Sequence, residues 1–260
     1  MFAKNMDYEN RIKRFFESIG YHVEYIPTGK GETPDLYITD DNFSYLVEIK
    51  TKYPSTAMEK ERTNTLDSGG IYQTNEAITR KNRLSGVISK AASQLNGGRR
   101  STHVFSVVWL LASGYNAEQV MYQFEATLFG STTIYDVTRN KATSDCFYFY
   151  NSDFYRHKEI LDGAIISTEH NAKLLINSLS SRYNEFKKSS LPIKLSKAIV
   201  DPIGIEKNGN GYIVDGDVDR TNKEAVIKYL CNKYNSERMI NVTMKYHSGT
   251  MKIKYDLSDT

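Results

Sequence analysis

Apolar residues recur at helical spacing in only a few places along the chain, and these predict the first elements. Ile12, Phe15, Phe16 and Ile19 fall on one stripe, with Asp7 placed to cap a helix and Gly20 to end it, so residues 7–19 are expected to be an amphipathic helix. YHVEYI, closed by Pro27, reads as a strand. Residues 36–39 and 43–50 read as the two arms of a hairpin, with Asp40, Asp41 and Asn42 supplying the turn chemistry. In NRLSGVISKAASQL, Leu84, Val87, Ile88, Ala91 and Leu95 share one side of a helix that Gly97-Gly98 stops. HVFSVVWLLA is a near-continuous β-branched and aromatic run, the pattern of a strand buried on both faces. A helix over AEQVMYQFEATLFG, strands over TTIYDV and GAIIST, and a helix over AKLLINSLSSRYNEFKK extend an α/β alternation to a break at Ser189, Ser190 and Pro192. The expectation is a main domain over residues 1–190 built on a mixed central sheet flanked by helices. Residues 191–260 are expected to add a small α+β extension, packed on the same domain or beside it, from a hairpin (IEKNGNGYIV), a helix (TNKEAVIKYLCNKY) and two strands. Residues 53–80, rich in Thr, Ser, Asn and Gly, show little periodicity and read as a long loop with short helical pieces, a length that inside a compact domain points to function or to disorder.

Composition narrows the class of protein. The chain has 260 residues, 40% hydrophobic and 25% charged, which is globular and long enough for a sizeable core. No apolar run approaches the roughly 18 residues of a membrane span, the N-terminus lacks a signal-type apolar stretch, and Cys146 and Cys231 stand apart from any ligand pattern. A reduced, cytoplasmic protein without a zinc site or a membrane partner is expected. The net charge of +3 argues only weakly for a polyanionic partner. Its distribution says more: Lys52, Lys60, Arg62, Arg80, Lys81, Arg83, Lys90, Arg99 and Arg100 face only Glu59, Glu61, Asp67 and Glu76 as acids in the same stretch. This is either a solvated face or a phosphate-binding band. TGKGET lacks the ending of a phosphate-binding loop, and DGDVDR has Arg220 and Val226 where a calcium loop needs Gly and Glu. Thr221 to Glu224 reads instead as a capping box for the last helix. The five histidines show no ligand spacing, and the nineteen tyrosines fit partly buried packing better than base stacking.

The hairpin TPDLYITDDNFSYLVEIKTK carries charge where a strand pair should bury apolar groups. Alternation puts Leu46, Glu48 and Lys50 on one face and Tyr45, Val47 and Ile49 on the other. A two-residue loop at Asp41-Asn42 pairs residue 40 with 43, and a four-residue loop pairs 39 with 44; both place Asp35 opposite Glu48, whereas a three-residue loop turns the carboxylates apart. Directly opposed like charges are destabilising, so a compensating cation is expected. Mg²⁺ suits one or two carboxylates with water and phosphate oxygens, and Lys50 would stand one pleat away as activator or charge stabiliser in phosphodiester hydrolysis. The alternative is a surface hairpin with a salt bridge. Glu9 shares the inward stripe of the first helix with Ile12, Phe16 and Ile19, and Gln94 lies at the buried margin of the later helix one turn from Lys90. Both either lean toward one site or serve as ordinary helix-end groups.

This ordered set, Glu9 on a helix, Pro34-Asp35, then Glu48-Ile49-Lys50 and Gln94 on the following helix, resembles the PD-(D/E)xK superfamily of restriction-endonuclease-like nucleases over about residues 7 to 112. The resemblance implies a restriction-endonuclease-like core and Mg²⁺-dependent cleavage of DNA, with Mn²⁺ as a substitute, in restriction, defence against foreign DNA, or repair. It makes Asp35, Glu48 and the Ile49 carbonyl metal ligands, Lys50 the catalytic lysine, Glu9 an outer or direct ligand and Gln94 an orienting residue. Lys52, Arg80, Lys81, Arg83, Lys90, Arg99 and Arg100 become candidate DNA contacts. A non-cleaving DNA- or partner-binding module and a homodimeric branched-DNA resolvase stay open as alternatives. With no nucleotide-binding motif in the sequence, ATP-driven movement would need a separate ATPase partner, and selection of a target could fall to a specificity partner.

Overall fold

The computed structural model describes residues 2–27, 32–98, 103–140, 142–243 and 245–252. Helix α1 (Phe2–Ser18) buries Ile12 and Phe16 against a sheet, and Gly20, at φ +82°, turns the chain into strand β1 (His22–Tyr25). The helix starts at Phe2, so Asp7 lies inside it and does not cap it. β2 (Leu36–Thr39) and β3 (Ser44–Lys52) form the expected hairpin.

Residues 53–80 differ from the loop predicted for them. Helix α2 (Thr56–Asp67) is capped by Ser55, whose hydroxyl accepts from the Met58 N–H, and β4 (Tyr72–Ala77) follows. α2 buries none of its residues, so it carries no amphipathic stripe for a sequence reading to find.

α3 (Asn82–Gly98), β5 (Val104–Ala112), α4 (Ala117–Phe129) and β6 (Thr132–Asp136) lie where their patterns place them. β7 (Ser144–Phe147), the short helix α5 (Asp153–Arg156) and β8 (Gly163–Ser167) come next. The helix expected from Ala172 is instead β9 (Ala172–Ile176), which turns back on β8, and helical structure resumes only at α6 (Tyr183–Lys188) and α7 (Ser190–Lys194). Leu174, Leu175 and Ile176 are all buried; a continuous apolar run of this kind does not distinguish strand from helix.

Seven strands form a mixed central sheet in the order β1-β2-β3-β5-β8-β9-β10, where β10 is Ile199–Val200. β1, β2 and β3 run antiparallel, β3, β5 and β8 parallel, and β9 antiparallel to β8. One core lies between the sheet and α3 and α4, with Leu84, Ile88, Leu95 and Phe124 packed on Leu46, Val108 and Leu110. The other lies against α1, α6 and α7, with Ile12, Phe16, Phe186 and Leu191 packed on Tyr45, Val47 and Trp109. The molecule is thus α/β with a mixed central sheet flanked by helices.

The C-terminal residues interleave with what precedes them. The hairpin expected at 205–214 is helix α8 (Pro202–Lys207), with Asp201 as its cap and Pro202 in its first turn, followed by β11 (Gly211–Ile213). β11 pairs with β7 in a second sheet of order β11-β7-β6-β12, where β12 is Met239–Val242. Helix α9 (Lys223–Lys233) is capped by Asn222, which accepts from the N–H groups of Glu224 and Ala225, not by Thr221 as the capping-box pattern suggested. β13 (Tyr246–Met251) crosses back to pair with β4 as a two-stranded ribbon.

Candidate active site at the end of the central hairpin

The loop between β2 and β3 decides the geometry. Thr39 pairs with Ser44, and Asp40 closes the turn by donating its N–H to the Phe43 carbonyl at 3.0 Å. Its carboxylate accepts from the N–H groups of Asn42 and Phe43 at 3.1 and 2.9 Å; against partial burial, a hydrogen bond with the Ser190 side chain and these two backbone bonds hold its pKa below the usual range. The loop is even-numbered. Leu36 therefore faces Val47, where the regular pairing ends; the carboxyl of Asp35, next along the strand, lies close enough to that of Glu48 to act on its charge.

β3 outruns its partner at this point. The last rung toward β2 is the Asp35 N–H donating to the Val47 carbonyl at 3.1 Å, while β3 continues to Lys52 with its other edge paired to β5. Beyond the rung, the Ile49 N–H donates to Asp35 Oδ2 at 2.7 Å. Within a strand the N–H and C=O of one residue share an edge, so the Ile49 carbonyl opens on the Asp35 side as well. Helix α3 sets the position of Asp35 from behind: a Cβ on Gly98 would stand 2.3 Å from Pro34 Cδ, so only glycine allows this approach to the residue before the aspartate.

Glu48 is the anomaly of the site. Its side chain is 1% exposed, and its pKa is pushed up to about 8, first by burial and then by the facing charge of Asp35 and the hydrogen bond between the two carboxyls. Lys50 opposes this shift, since its ammonium donates to Glu48 Oε1. Glu48 Oε2 is buried with no protein partner. Without a cation, the repulsion between two opposed carboxylates is relieved by a proton on Glu48.

Lys50 is held from a second side. Its Nζ donates to Gln94 Oε1 at 2.7 Å, and the Gln94 amide donates in turn to the Thr33 carbonyl at 3.3 Å. Gln94 thus links the lysine to the segment carrying Pro34 and Asp35. Thr33 takes part through its backbone, which no motif reveals. Glu9 on α1 is half-buried, and its pKa is raised by burial and by the Asp35 charge, with Lys50 opposing; it belongs to the same electrostatic group.

The cations of the basic band are not all alike. Lys52 continues the face of Lys50, half-buried, with its pKa lowered by burial and by Arg83. Arg83 and Lys90 are exposed on α3. Arg80 instead turns inward, donating to the Asn151 carbonyl at 2.8 Å, to Ser85 Oγ at 3.0 Å and to Asn82, and Lys81 donates to Glu76 at 3.1 Å. Arg99 and Arg100 lie outside the described residues.

Among the described residues no group of three or more His, Cys, Asp or Glu side chains gathers into a ready cation site. What the fold presents is a carboxylate pair, an orphaned buried oxygen on Glu48 and a backbone carbonyl edge. That donor set fits a hard divalent cation such as Mg²⁺, which takes few protein ligands. No family model, curated protein or solved structure matches the chain. Among the described residues no helix is long and apolar enough to cross a membrane.

Proposed function

We propose that the chain is a metal-dependent endodeoxyribonuclease with a restriction-endonuclease-like core of the PD-(D/E)xK type, acting in restriction or defence against foreign DNA. The observation that carries the reading is the nearness of the Asp35 and Glu48 carboxyls where β3 overhangs β2, with Lys50 one pleat on and fixed by Gln94. A structural salt bridge would need neither the second carboxylate nor the clamp on the lysine. Asp35, Glu48 and the Ile49 carbonyl would hold Mg²⁺ or Mn²⁺, which supplies Lewis-acid stabilisation of the charge developing on the phosphate and makes water a stronger nucleophile.

The chain's own residues do the rest. An ammonium has three donors; Glu48 and Gln94 take two on Lys50, leaving one for a phosphate oxygen or the attacking water. Gln94 positions that donor. Glu9 places a further carboxylate beside the pair and is suited to order water rather than to bind phosphate. Lys52, Arg83 and Lys90 lie on or beside the strand and helix that carry Lys50 and Gln94, and would hold the DNA backbone without reading its sequence.

The test is cleavage of linear, circular, single-stranded and branched DNA by the full chain with Mg²⁺ or Mn²⁺. Cleavage lost with Lys50→Ala supports the reading. DNA binding that Glu48→Ala and Lys50→Ala leave unchanged, with no cleavage and no metal affinity, points instead to a non-cleaving binding module.

A further inference from the structure

The β4–β13 ribbon contributes to neither core, and its two faces differ. On one face Tyr246 pairs with Ala77, Ser248 with Asn75 and Thr250 with Gln73, and all of these except Ala77 are exposed. The other face turns to the body of the molecule. Tyr72 shares a hydrogen bond of 3.2 Å with the Tyr115 hydroxyl just before α4, and the His247 ring lies 6.2 Å from that of Tyr122 on α4. Glu76, the one acid in either strand, belongs to this inner face and accepts from Lys81 at 3.1 Å. The outward face is therefore made of carboxamides, hydroxyls and a methyl group, with no charge on any of its three rungs. Ser248 Oγ donates to Asn75 Oδ1 at 3.2 Å and ties the middle rung across the ribbon.

That composition is unusual for an exposed ribbon. Among the described residues each strand has an open edge, and open edges are ordinarily guarded by charged side chains, lysine above all. Uncharged groups that both donate and accept are instead the ones that read base edges: Asn and Gln bond adenine at two atoms, Ser and Thr donate or accept, and Ala packs on the thymine methyl group. The dimensions agree. A two-stranded ribbon enters the roughly 12 Å wide major groove of DNA. Side chains two residues apart on one face are separated by about 6.8 Å, two base-pair steps of about 3.4 Å, so three rungs span about five base pairs. Charge and position favour the same partner. No carboxylate stands on the outward face, and Lys252, exposed, follows its last rung. The Ala77 end adjoins, through Glu76, the cavity lined by Lys52 and Arg83, the cations beside the carboxylate pair.

We propose that the outward face of this ribbon lies in the major groove of duplex DNA and reads base pairs near the cut, with Gln73 and Asn75 as the specificity-determining side chains. The inference rests on the nuclease reading of Asp35, Glu48 and Lys50 and gives that site a substrate class: double-stranded DNA with a preferred short sequence. Lys52 and Arg83 hold the backbone, and the ribbon selects where. Adenines two base steps apart are the expected partners of Gln73 and Asn75. Double-stranded RNA, whose major groove is too deep and narrow for side chains, is not read in this way.

The experiment measures binding, not cleavage, so that the two ideas fail separately. The Lys50→Ala full chain selects from a pool of randomised DNA duplexes, and the bound fraction is sequenced. Enrichment of one short sequence is expected. Adding Gln73→Ala or Asn75→Ala should reduce the preference for it at least about 5-fold each, while affinity for unselected duplex, set by phosphate contacts, stays within about 3-fold. A pool that emerges unselected, or a preference that both variants leave intact in protein of native circular dichroism, overturns the ribbon as a reader and leaves the nuclease reading standing. Conversion of a dimer to a monomer by the same variants, without loss of sequence preference, assigns the face to a second copy of the chain and also overturns it. Selective binding lost in the variants, with no metal-dependent cleavage by the wild type, keeps the reader and removes the nuclease reading. Failure to bind any duplex overturns the reader, and cleavage by the wild type then decides the nuclease reading alone.

Discussion

Glu48 gives the sharpest energetic test of the site. Its pKa moves from the ordinary 4.5 to about 8 in the folded protein, through burial and the facing Asp35. Because the folded state holds this proton more tightly than the unfolded chain, the contribution of Glu48 to stability falls as the pH rises from about 4.5 to about 8. At 1.36 kcal/mol per pH unit the full loss is about 5 kcal/mol; relaxation and water entry in a real interior reduce what is measured, and about 1–3 kcal/mol is the expected range. Glu48→Gln removes the titration while keeping an acceptor for Lys50 and a donor toward Asp35. Denaturation of wild type and Glu48→Gln in EDTA at pH 5, 7 and 9 should show a gap that opens in favour of the variant as the pH rises. For a chain of this size each kcal/mol is worth about 2–4 °C in Tm. A cation binds the ionised pair only, so Mg²⁺ should close the gap from the wild-type side, by about 1.4 kcal/mol at ten times its Kd, and more at pH 9 than at pH 6. Parallel pH profiles for the two proteins, with no Mg²⁺ effect on either, would refute the opposed-carboxylate geometry.

Other consequences follow from single contacts. Gln94→Leu frees one side of the lysine, and cleavage should fall about 10–100-fold with little change in stability, read from single-turnover rates and melting curves. Gly98→Ala drives a methyl group into Pro34, whose Cδ lies 2.3 Å from that position; about 1–3 kcal/mol of stability should be lost by urea denaturation, and activity should drop as Asp35 shifts. Deleting Asn42 makes the loop odd and turns Glu48 and Lys50 to the opposite face, so metal binding measured by titration calorimetry should vanish even if a fold is retained. Asp40→Ala removes two hydrogen bonds in the turn and should cost about 1–2 kcal/mol without changing the register.

The central strands and the placing of the candidate residues Glu48, Lys50 and Gln94 are legible in the sequence because both rest on short-range rules. Alternation puts Glu48 and Lys50 on one face, and the turn residues Asp40, Asp41 and Asn42 make the register countable as far as Leu36 against Val47, which brings Asp35 to the end of the pairing beside Glu48. Gln94 was visible as a polar group at the edge of an apolar stripe. What was hidden lies at longer range. β4 is polar and alternates only weakly, and its partner β13 is some 170 residues away along the chain. β9 is continuous apolar sequence that fits a strand or a helix, and only its hairpin with β8 decides. Arg80 looked like a phosphate contact because its neighbours are basic, yet Ser85 and the Asn151 carbonyl hold it inward, and Asn151 is distant in sequence.

The most direct test of the proposed function is single-turnover nicking of supercoiled plasmid by the wild-type chain and by Lys50→Ala, in Mg²⁺, Mn²⁺ and EDTA, with folding checked by circular dichroism. Metal-dependent nicking by the wild type, abolished by EDTA and reduced at least about 100-fold by Lys50→Ala, is the expected result. Nicking that persists in Lys50→Ala at the wild-type rate, or its absence from the folded wild type under every metal condition, would contradict the assignment of Asp35, Glu48 and Lys50 as a nuclease site.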